Sequence, residues 1–154
     1  MDIISKQILT PNEKSQLFSL WNAEYPEKIT LQSLENLDNY LNGLTDQMHY
    51  FLLNDKQQIE AWALTFKREK EKWFAIIVSE KIQGSGIGKE MLNKLKVDED
   101  TLNGWVIDHT HDKKRNGTRY KSPLEFYLKN GFTLIPETRL ELETISAVKI
   151  NWTK

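Results

Sequence analysis

Three alternating glycines between an apolar run and an amphipathic segment form the part of the chain best suited to chemistry. The stretch Gln83–Lys89 reads QGSGIGK, and it follows the apolar run Trp73–Val78. That run predicts a strand buried on both faces. Apolar residues then recur at helical spacing, at Ile87, Met91, Leu92 and Leu95. A glycine turn at a helix start presents unpaired N–H groups and the positive end of the helix dipole, so it favours a phosphate ligand, to which Lys89 adds a positive charge.

Spacing excludes the two common nucleotide-binding loops. A P-loop would need a glycine at Gln83 and a serine or threonine at Glu90. A dinucleotide fingerprint that starts at Gly84 would need its third glycine at Lys89. The remaining alternative to a phosphate site is a tight turn whose glycines serve only the backbone.

Two segments carry a resemblance to a known family. Gln83–Gly88 reads Q-x-x-G-x-G, which resembles the acetyl-coenzyme A pyrophosphate loop of the GNAT N-acetyltransferase superfamily. Phe126–Phe132, with the sequence FYLKNGF, resembles the superfamily's F-Y-x-K-x-G-F signature. The two segments stand in the family's order and at its spacing. The resemblance extends over nearly the whole chain, because the predicted order of helices and strands is also that of the GNAT fold.

Length and composition narrow the class of protein. With 154 residues, the chain predicts a single domain over residues 1–154. The net charge of −1 argues against a nucleic-acid partner. No apolar run approaches the ~20 residues of a membrane helix, and the first residues do not resemble a signal peptide. We therefore expect a cytoplasmic protein without a membrane partner. With no cysteine and three histidines, we expect no disulfide, no thiolate nucleophile and no metal site.

The predicted element order is β-α-α-β-β-β-α-β-α-β-β. We predict strands at Ile3–Leu9, Met48–Leu53, Ile59–Phe66, Trp73–Val78, Trp105–Ile107, Phe132–Ile135 and Leu140–Trp152, the last broken near Glu143. Helices are predicted from Thr10, near Leu31, from the glycine loop and from Ser122. This order is typical of an α+β domain with one twisted, mostly antiparallel mixed sheet and helices on both faces. The GNAT resemblance adds the expectation that the central strands splay apart.

The resemblance also implies how acetyl-coenzyme A would be held. The pantetheine arm would pair with the strand backbone at Ile76, Ile77 and Val78. The pyrophosphate would lie on Gln83, Gly84, Ser85, Gly86, Ile87, Gly88 and Lys89. Tyr127 would point at the coenzyme sulfur as general acid. The alternative is that Tyr127 packs as a core aromatic residue.

Other positions leave alternatives open. An acceptor ammonium must lose a proton before it can attack, and Asp108 and His109 are the candidate bases. Glu80, His111 and a water relay remain alternatives. Tyr120 stands where the family commonly has an asparagine. The loop Thr110–Lys121 is long and polar, and its basic run, residues 113–115, would contact the coenzyme's 3′-phosphate, attract an acidic acceptor or remain solvated.

The sequence thus predicts an N-acetyltransferase. Acetyl-coenzyme A would be the co-substrate, and a primary amine of a small molecule or peptide would attack it directly in a ternary complex. A non-catalytic acyl-coenzyme A sensor or interaction module of the same fold is the alternative, and a nucleotide-binding module is a weaker one. Pairing with a second copy through the edge of the last strands, as a homodimer, stays open.

Overall fold

The observed order of helices and strands follows the predicted one. The computed structural model describes residues 2–154. Its strands are β1 (Ile3–Lys6), β2 (Thr45–Leu53), β3 (Ile59–Arg68), β4 (Glu71–Val78), β5 (Thr101–Val106), β6 (Thr133–Glu141) and β7 (Ser146–Thr153). Its α-helices are α1 (Pro11–Glu24), α2 (Leu34–Asn42), α3 (Ile87–Asp98) and α4 (Leu124–Lys129). Together these strands form a seven-stranded sheet of order β1-β2-β3-β4-β5-β7-β6, antiparallel except between β4 and β5. The predicted mixed, mostly antiparallel α+β fold is therefore confirmed.

Helices cover both faces of the sheet, as predicted. On one face α1 and α2 bury Leu17, Leu20, Leu37 and Leu41 against β2, β3 and β4. On the other face α3 and α4 bury Met91, Leu92, Leu95 and Tyr127. Within residues 2–154, no helix is long and apolar enough to span a membrane.

Capping groups determine where α1 and α2 begin. The Thr10 hydroxyl accepts a hydrogen bond from the Glu13 N–H at 3.1 Å, and the Glu13 carboxylate accepts one from the Thr10 N–H at 2.8 Å. This reciprocal capping box confirms the predicted start of α1. The second helix begins at Leu34 and not near Leu31. The Asn22 side chain holds both backbone polar groups of Leu31, at 2.7 and 3.0 Å, and keeps that residue out of the helix.

Two predicted strand boundaries, the end of β1 and the start of β5, are wrong. The first strand ends at Lys6, before Leu9. β5 begins at Thr101, before the predicted Trp105, and it includes Asn103 and Gly104, a pair of residues typical of turns. A Cβ at Gly104 would stand 2.8 Å from Cε1 of Phe74, so this glycine serves a close approach between strands and not a turn.

The predicted ends of the last two strands are also wrong. β6 continues to Glu141, and the region around Glu143 is the turn into β7 and not a break within one strand. In that turn the Leu142 N–H donates to the Ile145 carbonyl at 2.8 Å. The pairing of β6 with β7 shifts register between Ile135 and Arg139. This irregularity includes Pro136, which lacks an N–H, and it gives the sequence the pattern of a strand end.

The sheet opens between β4 and β5, which confirms the expected splay. Their parallel ladder contains the single pair Trp73 and Asn103. On its other edge β4 stays paired with β3 as far as Ala61 and Val78. Residues Ile76 and Val78 are half-buried, so the prediction of burial on both faces is wrong for this end of the strand. The carboxyl end of β4 therefore faces an open cleft with backbone groups that no neighbouring strand occupies.

Candidate active site

A cavity of about 460 Å³ lies at the open end of β4. Both sequence motifs contribute to its walls, which are formed by Glu24, Tyr25, Ile76, Ile77, Val78, Gln83, Gly84, Gly86, Gly88, Lys89, Tyr120, Lys121, Ser122, Pro123, Phe126 and Tyr127. Its size falls within the usual range of ligand pockets. The structure thus brings together most of the residues that the sequence singled out for a coenzyme.

Two predicted coenzyme residues, Ser85 and Ile87, do not line this cavity. The Ser85 hydroxyl donates to the Ile82 carbonyl. The Ile87 side chain is 3% exposed and belongs to the core under α3. The Ser85 side chain therefore bonds to the turn before the loop, and the Ile87 side chain packs into the core.

The glycine loop adopts a conformation that side chains rarely allow. Gly84 and Gly86 have φ angles of +83° and +87°, and Gly86 is the N-terminal cap of α3. The Gln83 amide donates to the Val78 carbonyl at 2.8 Å and fastens the loop to the end of β4. The first turn of α3, which carries Lys89, therefore directs unpaired N–H groups and a positive charge toward the cavity, an arrangement suited to phosphate.

Tyr127 packs as a core aromatic residue and also lines the cavity. Its side chain is 7% exposed, and its ring packs edge-on against Phe74, Phe126 and Phe132 at centroid distances of 5.6, 5.1 and 5.4 Å. Among the described residues no fully buried side-chain oxygen lacks a hydrogen-bond partner. Within residues 2–154 the Tyr127 hydroxyl has no hydrogen-bond partner, so its oxygen is not fully buried, and the residue lines the cavity.

Burial keeps this group of tyrosines protonated. It raises the pKa of Tyr127 well above its usual range, and the neighbouring Tyr120 adds to the shift. Burial, followed by the negative charge of Glu24, raises the pKa of Tyr120 to about 12. Burial likewise raises the pKa of Tyr25, next to both other rings. All three hydroxyls are hydrogen-bond donors at neutral pH.

Glu24 is a cavity residue that the sequence analysis missed. It is the last residue of α1, and its side chain is 8% exposed. One carboxylate oxygen accepts from the Glu80 backbone N–H at 3.0 Å, and the other accepts from Lys114 Nζ at 3.0 Å. Lys114 also contacts the Glu80 carboxylate at 3.1 Å. No local pattern marks Glu24, because its partners lie far away in the sequence.

Neither candidate base lines the cavity. Arg139 binds the Asp108 carboxylate through two bonds of 2.9 and 3.0 Å, and this pairing holds the pKa of Asp108 below its usual range. The His109 ring stacks on His111 with a centroid distance of 5.0 Å. Its Nε2 lies 3.8 Å from the Asp112 carboxylate. Both candidates therefore have partners of their own, outside the cavity walls.

The loop Thr110–Lys121 folds into a defined turn against the end of α1. The backbone of Lys113 forms an isolated antiparallel β-bridge with Arg119, and the backbone of Lys114 forms one with Pro26. The Tyr120 N–H donates to the Asp112 carbonyl at 3.0 Å, which leads the chain back so that Tyr120 and Lys121 reach the cavity. Because Lys114 is 8% exposed and paired with carboxylates, it is withdrawn from solvent and from any phosphate.

Comparisons with known proteins agree with this architecture. The family model of the acetyltransferase (GNAT) domain matches residues 46–134. An aminoglycoside 6′-N-acetyltransferase solved with coenzyme A has a TM-score of 0.73 and 16% identity, over 99% of this chain and 97% of that one. The corresponding enzyme from Enterococcus faecium has a TM-score of 0.72 and 15% identity, over 99% and 97% of the two chains.

A third neighbour is a variant of a spermidine N-acetyltransferase from Vibrio cholerae, with a TM-score of 0.65 and 12% identity, over 99% and 95% of the two chains. At these identities the solved structures establish a shared fold. No curated protein matches the chain at a significant level of sequence similarity.

Proposed function

The chain belongs to the GNAT acetyltransferase family, whose co-substrate is acetyl-coenzyme A, and from this premise we propose that it acetylates a primary amine of a small molecule or peptide. The observation that carries the proposal is the cavity of about 460 Å³ at the open end of β4. There the unpaired strand backbone, the glycine loop and the Tyr127 hydroxyl meet. Each corresponds to one requirement of acyl transfer from a coenzyme thioester.

The cavity walls fit the coenzyme in two places. The backbone of Ile76–Val78 has polar groups that face β5 without a strand partner, and of these the Val78 carbonyl accepts from Gln83. The remaining groups suit the amides of the pantetheine arm. The N–H groups at Gly84–Gly88 and the ammonium of Lys89 suit the pyrophosphate. Lys121, which also lines the cavity, supplies a second cation for phosphate.

Acetyl-coenzyme A supplies an acetyl group activated as a thioester. The amine nitrogen attacks the carbonyl carbon, a C–N bond forms and the C–S bond breaks. The nitrogen gives up one proton, and the leaving sulfur takes up one. Because the chain has no cysteine to carry the acetyl group as a thioester, its composition supports direct attack in a ternary complex.

Tyr127 is proposed to donate a hydrogen bond to the leaving sulfur. Its raised pKa keeps the hydroxyl protonated throughout the physiological range. A thiol such as that of cysteine has a pKa of about 8.5, well below that of a buried tyrosine. Tyr127 therefore stabilises the developing thiolate mainly by donating a hydrogen bond, and complete transfer of its proton requires a proton from solvent in return.

A coupled measurement of activity and binding tests this function. The protein is incubated with acetyl-coenzyme A and a panel of primary amines, and free thiol is followed. We expect Tyr127→Phe to lower kcat about tenfold or more and to leave coenzyme A affinity, measured by calorimetry, within twofold. Tyr50→Phe is the matched control, because Tyr50 is a buried tyrosine outside the cavity walls.

The outcomes separate the alternatives. An unchanged kcat in Tyr127→Phe would remove the proposed role of its hydroxyl. Tight coenzyme binding without thiol release for any amine would support the non-catalytic acyl-coenzyme A module. Initial rates at varied concentrations of both substrates should give intersecting double-reciprocal lines, whereas parallel lines would exclude the ternary complex.

A further inference from the structure

A second cavity, of about 610 Å³, borders the first at Glu24. It runs between the outer face of α1 and the ends of β3 and β4, where Ile59, Glu60 and Ser79 lie. Ser79 directly follows Val78, which lines the coenzyme cavity. A third cavity, of about 490 Å³ beside Arg115, also has Glu24 in its wall. Glu24 therefore stands at the junction of the coenzyme cavity and the space around α1.

The second cavity, termed here the α1 groove, presents hydrogen-bonding groups along its length. Ser15 and Ser19 lie one helical turn apart on the same exposed face of α1. Gln57 and Gln58 face them from the turn between β2 and β3. None of these four side chains has a hydrogen-bond partner among the described residues, and all four are exposed, so their polar groups are available to a ligand.

Glu24, Glu80 and Lys114 form a cluster of ion pairs at the inner end of the groove, and this ion cluster has a net negative charge. Two carboxylates, of Glu24 and Glu80, oppose the single ammonium of Lys114. The Glu24 carboxylate has about four lone-pair positions, and its two protein bonds use one on each oxygen. The carboxylate is thus oriented and still able to accept hydrogen bonds from a cation in the cavity.

We propose that the α1 groove is the acceptor site and that Glu24 binds the acceptor's ammonium group. This inference rests on the proposed function and deepens it. The acceptor is an amine on a hydrophilic body with several hydrogen-bonding groups, because most of the residues that line the groove have hydroxyl, amide or charged side chains. Lys114 is a positioning residue, since its bond to Glu24 holds the carboxylate at the junction of the two cavities.

A set of chemically distinct amines tests the class of acceptor. Glucosamine and the tripeptide Ser-Asn-Gly represent two sources of a hydrophilic amine, and 2-phenylethylamine represents an apolar one. We expect kcat/KM for at least one hydrophilic amine to exceed that for phenylethylamine at least tenfold. Preference for glucosamine or for the tripeptide identifies the source. A preference for phenylethylamine would overturn the assignment of the acceptor class.

Removing the charge of Glu24 tests the acceptor site itself. Glu24→Gln keeps an acceptor for the Glu80 N–H but removes the charge. We expect it to raise KM for the amine at least tenfold and to leave KM for acetyl-coenzyme A within twofold. Glu35→Gln, an exposed glutamate on α2, is the control and should change neither constant. Equal rises in both constants, or no rise in either, would overturn the role of Glu24.

Lys114→Met should also raise KM for the amine, and Lys114→Arg should restore it in part. A loss of stability without any change in KM would make Lys114 a purely structural residue and contradict its positioning role.

A groove-filling variant gives a readout that does not depend on the buried ion cluster. Ser19 is exposed, so Ser19→Leu narrows the groove without disturbing the core. Calorimetry with coenzyme A present should show amine binding lost in Ser19→Leu and retained in Asn93→Leu, an exposed position on α3. Amine binding that survives in Ser19→Leu would refute the groove. Amine binding without acetyl transfer by the wild-type protein would refute the proposed function alone.

Discussion

Lowering the pH from 7 to 5 should destabilise this protein through His49, a fully buried residue of β2. The Trp62 indole N–H donates to His49 Nδ1 at 3.0 Å, so the ring's own proton resides on Nε2 and is donated to the Gln47 side-chain oxygen at 2.8 Å. The neutral ring therefore has both nitrogens satisfied. A second proton at Nδ1 would break the bond from Trp62 and bury a positive charge.

The magnitude follows from the shift in pKa. Burial lowers the pKa of His49 from 6.5 to about 4, against a smaller opposing effect of Glu13. Below pH 6.5 the unfolded chain binds a proton that the folded protein does not, so stability falls as the pH falls and levels off below pH 4. At about 1.4 kcal/mol per pH unit, the loss is about 2 kcal/mol at pH 5 and approaches about 3 kcal/mol near pH 4.

Urea unfolding at pH 7 and pH 5 measures this loss. Carboxylates such as Asp108 also lose stabilising interactions in acid, but they do so equally in the wild type and in His49→Gln. The difference between the two pH dependences isolates His49, and we expect about 2 kcal/mol. His111→Gln, at an exposed position, should behave like the wild type. If His49→Gln lost as much stability as the wild type between pH 7 and pH 5, the argument from the buried neutral ring of His49 would be refuted.

Three further substitutions test the local geometry. Gly86→Ala should cost about 1–2 kcal/mol of stability in urea unfolding and weaken coenzyme A binding in calorimetry, because alanine must adopt φ +87°. Gly43→Ala, at φ −81°, is the control, and an equal loss of stability in the two variants would contradict the reasoning. Gly104→Ala should cost about 1–3 kcal/mol in the same unfolding assay, since its Cβ would stand 2.8 Å from Phe74, and a neutral result would mean that the ring moves freely. Thr10→Ala should cost about 1 kcal/mol by removing the cap of α1, and an unchanged urea midpoint would show that Glu13 alone suffices.

The parts of the fold that the sequence predicts well depend on neighbours within a few residues. The capping box at Thr10, the glycine loop at Gly84–Gly88 and the amphipathic α3 each show their structure in a short window. Gly104 shows the limit of such reasoning. A glycine after an asparagine is a strong turn signal, yet here it is required by a side chain on another strand, which no local pattern reveals.

The candidate site divides in the same way. Its coenzyme side follows from two short sequence motifs, and residues of both line one cavity. Its acceptor side depends on the contact between Glu24 and Lys114, which are 90 residues apart. The charge of Lys114 suggested a solvated or phosphate-binding loop, because sequence alone does not show that two carboxylates enclose it. Asp108 lies at the expected strand end, but Arg139, from a distant strand, occupies its carboxylate.

The two motifs are in close contact in the structure. A Cβ at Gly88 would stand 3.2 Å from the ring of Phe126, so the last glycine of the loop lets α4 approach the first turn of α3. Phe126 in turn packs at 5.1 Å against the ring of Tyr127. The glycine loop and Tyr127 thus belong to one packed unit. A larger residue at Gly88 would push against Phe126 and, through it, Tyr127, so this glycine influences the position of the tyrosine as well as the shape of the loop.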